Sequence, residues 1–404
     1  MAVLGLQSSE ASPPPPDVVV AGHVSLDVFP TMYGPVAIAP GHLVAVGPAV
    51  VSTGGVVTNT GLALHRLGVR VGLVGKVGAD LFGRAVLESL TRHAGHLTSG
   101  ISVCESEPTS YTIVIAPPGT DRCFLHCSGA NQTFSAADVP YDALMGVRLF
   151  HFGYPPLMPR MYADGGAQLR EMFARVLETG AATALDLCMP DPDSDAGRAD
   201  WTQVLAHALP FVDVFAPSLE ELLFMFDRPA YERIDRGEAL GSVADYARLS
   251  RLGGRLTAMG AAVVAIKLGD RGLYLRTTSD PTRVRAFCER LDLSIDAWLD
   301  REIISPCFAV NVKGTTGSGD TTVAGFLAAL LRGVNPGDAA AAATAVGACS
   351  VEAVDPTSAI PPWGQVAQRI ANGWSRHPLA IELPPGSAES DPTGTITVKE
   401  HRLA

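Results

Sequence analysis

The residues of this chain best placed to do chemistry are Gly314-Thr315-Thr316-Gly317-Ser318-Gly319-Asp320-Thr321. Their spacing nearly matches the phosphate-binding loop G-x-x-x-x-G-K-[ST], but Asp320 stands where the lysine belongs. A carboxylate brings no positive charge to a phosphate; it can take a proton. Beyond it, Val323, Phe326, Leu327, Leu330 and Leu331 recur at i, i+3, i+4, i+7 and i+8, which predicts an amphipathic helix over 321–332. The glycine-rich turn therefore opens onto a helix N-terminus, where unsatisfied N–H groups and the helix dipole favour an anion. An anion hole beside a base suits phosphoryl transfer to a hydroxyl. The same residues also make an ordinary helix start with Asp320 as a cap, and pattern alone does not separate the two.

Such a turn must be held by a rigid frame. Apolar strand candidates occur at Val18–Val20, Val71–Val74, Leu149–Phe152, Ala182–Leu187, Val212–Ala216 and Ala262–Leu268. Helical stretches, among them Gly166–Leu177 and Leu219–Phe226, separate most of them. That alternation predicts an α/β fold: a central, mostly parallel sheet flanked by helices. Tyr111–Ile115 and Cys123–His126, on either side of a Pro-Pro-Gly turn, read instead as a hairpin. With residues 28–50 they predict a small antiparallel flap, its strands lying within about 28–50 and 101–127. Residues 1–16 end in four prolines and read as a disordered leader. The main domain is expected over 17–380, with insertions at 228–255 and 277–307. Residues 383–404, rich in Pro, Gly, Ser and acidic side chains, read as a flexible tail.

A second segment joins the first. Gly54-Gly55, Asn59, Leu67-Gly68 and then Gly78-Ala79-Asp80-Leu81-Phe82-Gly83 stand in that order near the start of the chain. Together with Thr315–Asp320 and Ala324-Gly325-Phe326, they closely resemble the two signatures of the PfkB (ribokinase-like) carbohydrate kinases. The resemblance spans roughly Asp17 to Pro361, with Ser318 replacing an alanine. It implies an ATP- and Mg2+-dependent kinase acting on a hydroxyl of a small sugar or polyol. It also implies a ribokinase-like fold whose small β-sheet lid often serves dimerisation.

On that resemblance Asp320 is the general base, help typically worth about 10²–10⁴-fold. Gly317, Ser318 and Gly319 would aim N–H groups at the transferred phosphoryl group. Asp27 would accept bonds from substrate hydroxyls, with Asn59 facing the same substrate and Gly54 and Gly55 allowing close approach. The bland alternatives are a strand-end turn for Asp27 and a helix cap for Asn59. On the nucleotide side stand Lys267, Gly269 and Gly272 of a strand-then-G-x-x-G turn, Asp186 at a strand end, and Thr315. Glu221 would serve the metal, in a Pro217-Ser218-Leu219-Glu220-Glu221 segment where Ser218 replaces the family's asparagine. Gly314 stands where many relatives carry an aspartate of a monovalent-cation site, so potassium activation stays open. Asp80 reads equally well as a turn after a strand, and Asn131 as a substrate contact or a turn.

Composition narrows the classes. A formal charge of −11 gives no electrostatic footprint for nucleic acid. No apolar run approaches the ~18 residues of a membrane span, and the first residues lack a signal-peptide pattern. Seven cysteines without C-x-x-C read as reduced thiols of a cytoplasmic protein. Neither G-x-S-x-G, H-E-x-x-H nor a G-x-G-x-x-G after the first strand is present. The other readings are a nucleoside kinase of the same fold and a non-catalytic sugar- or nucleotide-binding regulator. Aromatic residues make up only 6% of the chain, a thin supply of stacking surface for a base.

Overall fold

The structure, a computed structural model, describes residues 14–34, 40–118 and 123–398. All but the last three residues of the expected leader lie outside them. In chain order the strands are β1 (Val18–Gly22), β2 (Ser25–Pro30), β3 (Ala49–Gly54), β4 (Val71–Gly78), β5 (Ile101–Cys104), β6 (Tyr111–Ile115), β7 (Cys123–Cys127) and β8 (Leu149–Gly153). They continue with β9 (Ala182–Asp186), β10 (Val214–Phe215), β11 (Val263–Lys267), β12 (Leu273–Thr277), β13 (Glu302–Ser305), β14 (Ala388–Ser390) and β15 (Ile396–Val398). Eleven form the main sheet, in the order β14-β15-β13-β12-β11-β10-β9-β8-β1-β4-β5. From β5 to β11 every neighbour is parallel; beyond β11 the pairing is antiparallel.

β1 explains why the sheet needs helices on both faces. Its valines alternate, Val18 and Val20 joining one apolar core and Val19 and Ala21 the other. A strand buried on both sides must be apolar throughout. One face is covered by α1 (Val56–Arg66), α3 (Ser318–Leu330) and α4 (Pro336–Ser350). The other is covered by the Ala167–Glu178, Trp201–Ala208 and Tyr246–Ala258 helices and by α2 (Leu219–Phe226). The alanine run of α4 lets it lie close against α3: a methyl at Gly325 would come within 2.8 Å of the Ala342 carbonyl. Among the described residues no helix is long and apolar enough to cross a membrane.

The smaller sheet, β3-β2-β6-β7, is the lid. Its outer pairs are antiparallel, but β2 and β6 run parallel, so the flap is not wholly antiparallel. Its strands also begin before residue 28 and end after residue 50. Residues 101–104, expected in the lid, instead extend the main sheet through β4, where Ile101 is buried.

The 228–255 and 277–307 segments pack into the frame. Leu249 and Leu252 of one, and Val284, Phe287, Cys288 and Leu291 of the other, join the cores, and β13 is a sheet strand. The segment expected as a tail contributes β14 and β15: β15 satisfies the open edge of β13, and β14 pairs with β15. Residues 399–404 lie outside the described residues.

Candidate active site

The carboxyl ends of β1, β8, β9 and β11 meet the N-termini of α1 and α3, the edge where parallel α/β sheets receive ligands. Asp320 sits there in the first turn of α3, 2% exposed. Its Oδ2 accepts from Asn59 Nδ2 at 2.9 Å, and both its oxygens lie 2.8 Å from the hydroxyl of Tyr154. Burial, then the neighbouring Asp186 carboxylate, push its pKa up to about 6; the bonds from Asn59 and Tyr154 oppose the rise. A carboxylate so tuned is ionised at neutral pH yet basic enough to take a proton.

Gly317 caps α3 with φ of +69°, a conformation that disfavours any side chain, and a methyl there would also strike Pro356. The turn thus presents the first N–H groups of α3, which the helix itself cannot satisfy. Ser318 N–H donates to the Thr315 carbonyl at 3.3 Å, and Thr321 N–H to the Gly317 carbonyl at 3.0 Å.

Behind the turn, Lys267 at the end of β11 forms a 2.5 Å ion pair with Asp186 at the end of β9. A methyl at Gly319 would sit 3.7 Å from Lys267 Nζ, so the ammonium lies alongside the glycine turn. Burial works against its charge, and the Asp186 and Glu221 carboxylates outweigh it, holding its pKa above the usual lysine value. Glu221 and Ser218 make a reciprocal cap on α2: Ser218 N–H donates to Glu221 Oε2 at 2.7 Å, and Glu221 N–H to Ser218 Oγ at 3.2 Å. Burial raises the Glu221 carboxyl to about 7, against the pull of Lys267. Asp186 Oδ2 is buried without a hydrogen-bond partner. Gly269 opens the turn after β11 and Gly272 closes it; no bond among the described residues ties either to Asp320.

Toward the lid, Asp27 on β2 pairs in register with Thr112 of β6 and accepts from Ser25 Oγ at 2.9 Å. Burial raises its pKa, opposed by bonds from Ser25 and Thr112. Its carboxylate fills the space beside Gly54: an added methyl would lie 2.1 Å from Oδ2. Gly55 turns the chain into α1 against the His23 carbonyl. Asp80 is a cap, accepting from Gly83 N–H and from Thr109. Asn131 holds the link between β1 and β2, its amide bonding both N–H and C=O of Val24. At Gly314 the carbonyls of Ala353 and Val354 lie within 3.0 Å of where a side chain would begin.

Two site residues carry no motif. Tyr154 follows β8 directly, and His23 follows β1, both at strand carboxyl ends where ligand contacts collect. That position was the available signal. The His23 ring lies 5.9 Å from Tyr154 and 5.2 Å from His126 of β7, and burial holds its pKa well below the usual value.

A mostly parallel sheet with a buried carboxylate at a helix start over its carboxyl edge, and a β lid beside it, is the ribokinase-like architecture. Arabidopsis thaliana ribokinase complexed with ribose and ATP has this fold with a TM-score of 0.67 at 18% identity, over 88% of this chain and 98% of that one. The sequence pattern of the pfkB family carbohydrate kinases matches residues 15–363, and the chain belongs to that family. An uncharacterized sugar kinase of Archaeoglobus fulgidus is 24% identical over 67% of this chain and 87% of its own length. A nucleoside kinase of Methanothermobacter thermautotrophicus is 26% identical over 80% and 86%.

Proposed function

We propose that this carbohydrate kinase transfers the γ-phosphoryl group of ATP to a hydroxyl of a small neutral sugar or polyol. The observation that carries the reading is Asp320: a buried carboxylate with its pKa near 6, set in the first turn of α3. Asp320 accepts the substrate hydroxyl's proton as that oxygen bonds to phosphorus and the bond to the β–γ bridging oxygen breaks. The amides around Gly317, Ser318 and Gly319 receive the phosphoryl oxygens, with the Lys267 ammonium alongside. Asp27 and Asn59 hold the acceptor's hydroxyls, and the lid excludes water.

The unpartnered Asp186 Oδ2 and the buried Glu221 carboxylate are hard oxygen donors that fit Mg2+, which needs few carboxylates because it keeps several waters. Bound there, the ion would offset charge on the polyphosphate. Thr315, Gly269 and Gly272 belong to the nucleotide side of this reading. A reducing, cytoplasmic setting accords with seven free thiols. The lid exposes Val50, Val51, Phe124 and Leu125 on its edge strands, a face on which two copies would pair.

The test is Mg2+-dependent ADP release against sugars, sugar acids, sugar phosphates and nucleosides, with Asp320→Asn alongside. A sugar-dependent signal lost in the variant supports the reading. Preference for a nucleoside moves the substrate to the other branch of the family, with the His23 and Tyr154 rings as stacking surface. Full activity in the variant removes Asp320 from the mechanism.

A further inference from the structure

Resting on that reading, we propose that Tyr154 is a positioning residue: its hydroxyl fixes the orientation and charge state of the Asp320 carboxylate. One O–H lies 2.8 Å from each carboxylate oxygen, while Asn59 Nδ2 approaches Oδ2 from α1. Two donors from separate elements therefore set the carboxylate plane. They also leave acceptor capacity free, since two carboxylate oxygens offer about four lone-pair sites.

The phenol cannot exchange roles with its partner. Its hydroxyl faces two carboxylate oxygens, which only accept when ionised, so it is the donor of the pair. A donor to the ionised form favours that form. This counters the burial and the Asp186 charge on β9 that raise the Asp320 pKa, as the Lys267 ammonium on β11 also does.

The backbone at this residue is itself unusual. Tyr154 has φ 70° and ψ 40°, rare for a bulky side chain, and it precedes Pro155, which normally drives its neighbour to extended conformations. Such strain persists only where surroundings over-determine it. Here the buried Pro155 and Pro156 follow, and the Tyr154 N–H donates to the Asp186 carbonyl at 3.3 Å. The turn thus ties the phenol to the strand end that carries the Lys267 partner. The plainer alternative is a buried tyrosine that merely needs an acceptor. That role would not require Asp320 to titrate differently without it.

The experiment is carboxyl ¹³C NMR of the full chain labelled at aspartate, with neither nucleotide nor sugar present. The Asp320 resonance is identified by its absence in Asp320→Asn. In Tyr154→Phe, which keeps the ring and removes the donor, the Asp320 midpoint is expected to rise by about one unit, the loss of one charge-directed hydrogen bond. The acid limb of kcat/KM should move with it while KM changes little. An unmoved midpoint overturns the proposal. A moved midpoint in a chain that phosphorylates nothing upholds the hold of Tyr154 on Asp320 and overturns the reading of that carboxylate as a base.

Discussion

Asn59 Nδ2 lies 2.9 Å from Asp320 Oδ2, joining the start of α1 to the start of α3 across 261 positions of sequence. Folding alone assembles this pair, and it holds the carboxylate proposed as the proton acceptor. Asp320→Asn should lower kcat by about 10²–10⁴-fold with little change in KM for either substrate. Steady-state kinetics with saturating nucleotide would check it.

The same carboxylate sets a pH dependence. Its pKa is raised from 3.8 to about 6, so under the proposed role the base is lost on acidification. Activity should fall about tenfold per unit below pH 6, read from a kcat/KM profile.

For stability the sign is opposite. The folded state holds the Asp320 proton more tightly than the unfolded chain, so stability present below pH 3.8 is lost as pH rises through about 6. Asp320→Asn should therefore be more stable than the parent at neutral pH, by on the order of 3 kcal/mol. The difference should vanish in acid, as measured by urea unfolding across pH.

Lys267 and Asp186 are both buried, with only 12% and 1% of their side chains exposed. Lys267→Met strands a carboxylate and should destabilise the fold by about 3–5 kcal/mol. Adding Asp186→Leu should restore part of that loss. Denaturant titration of the single and double variants decides it.

The Asp27 carboxylate occupies the space beside Gly54. Gly54→Ala should displace it and reduce kcat/KM for the sugar tenfold or more, about 1.4 kcal/mol, while KM for ATP stays near the parent value. Initial rates with each substrate varied in turn would show the split.

Crowding at Gly314 by the Ala353 and Val354 carbonyls leaves no room for a ligating side chain. Activity should be the same in potassium and in choline chloride at equal ionic strength. A several-fold rise with potassium would show that backbone oxygens alone hold the ion.

The frame was legible where periodicity is strong. The apolar runs at Val18, Val71, Leu149, Ala182, Val212 and Ala262 all mark main-sheet strands. The glycine signatures brought Asp320 and Asn59 into one site. Tyr154 was not legible, because one tyrosine after a strand has no spacing to distinguish it. The 277–307 segment carried a readable signal, Val284, Phe287, Cys288 and Leu291 at helical intervals, that its polar surroundings obscured. β14 and β15 are three residues each; Ile396-Thr397-Val398 favours a strand, but one too short to stand out in the sequence without the edge that β13 offers.

That edge has a consequence for biosynthesis. During translation β13 leaves the ribosome long before β15, so its hydrogen-bonding edge waits for a partner that arrives near residue 396. A nascent chain paused in this interval presents an unpaired strand, the kind of surface that draws other chains into contact. The order of synthesis, and not the finished contacts alone, thus bears on how this chain reaches its fold.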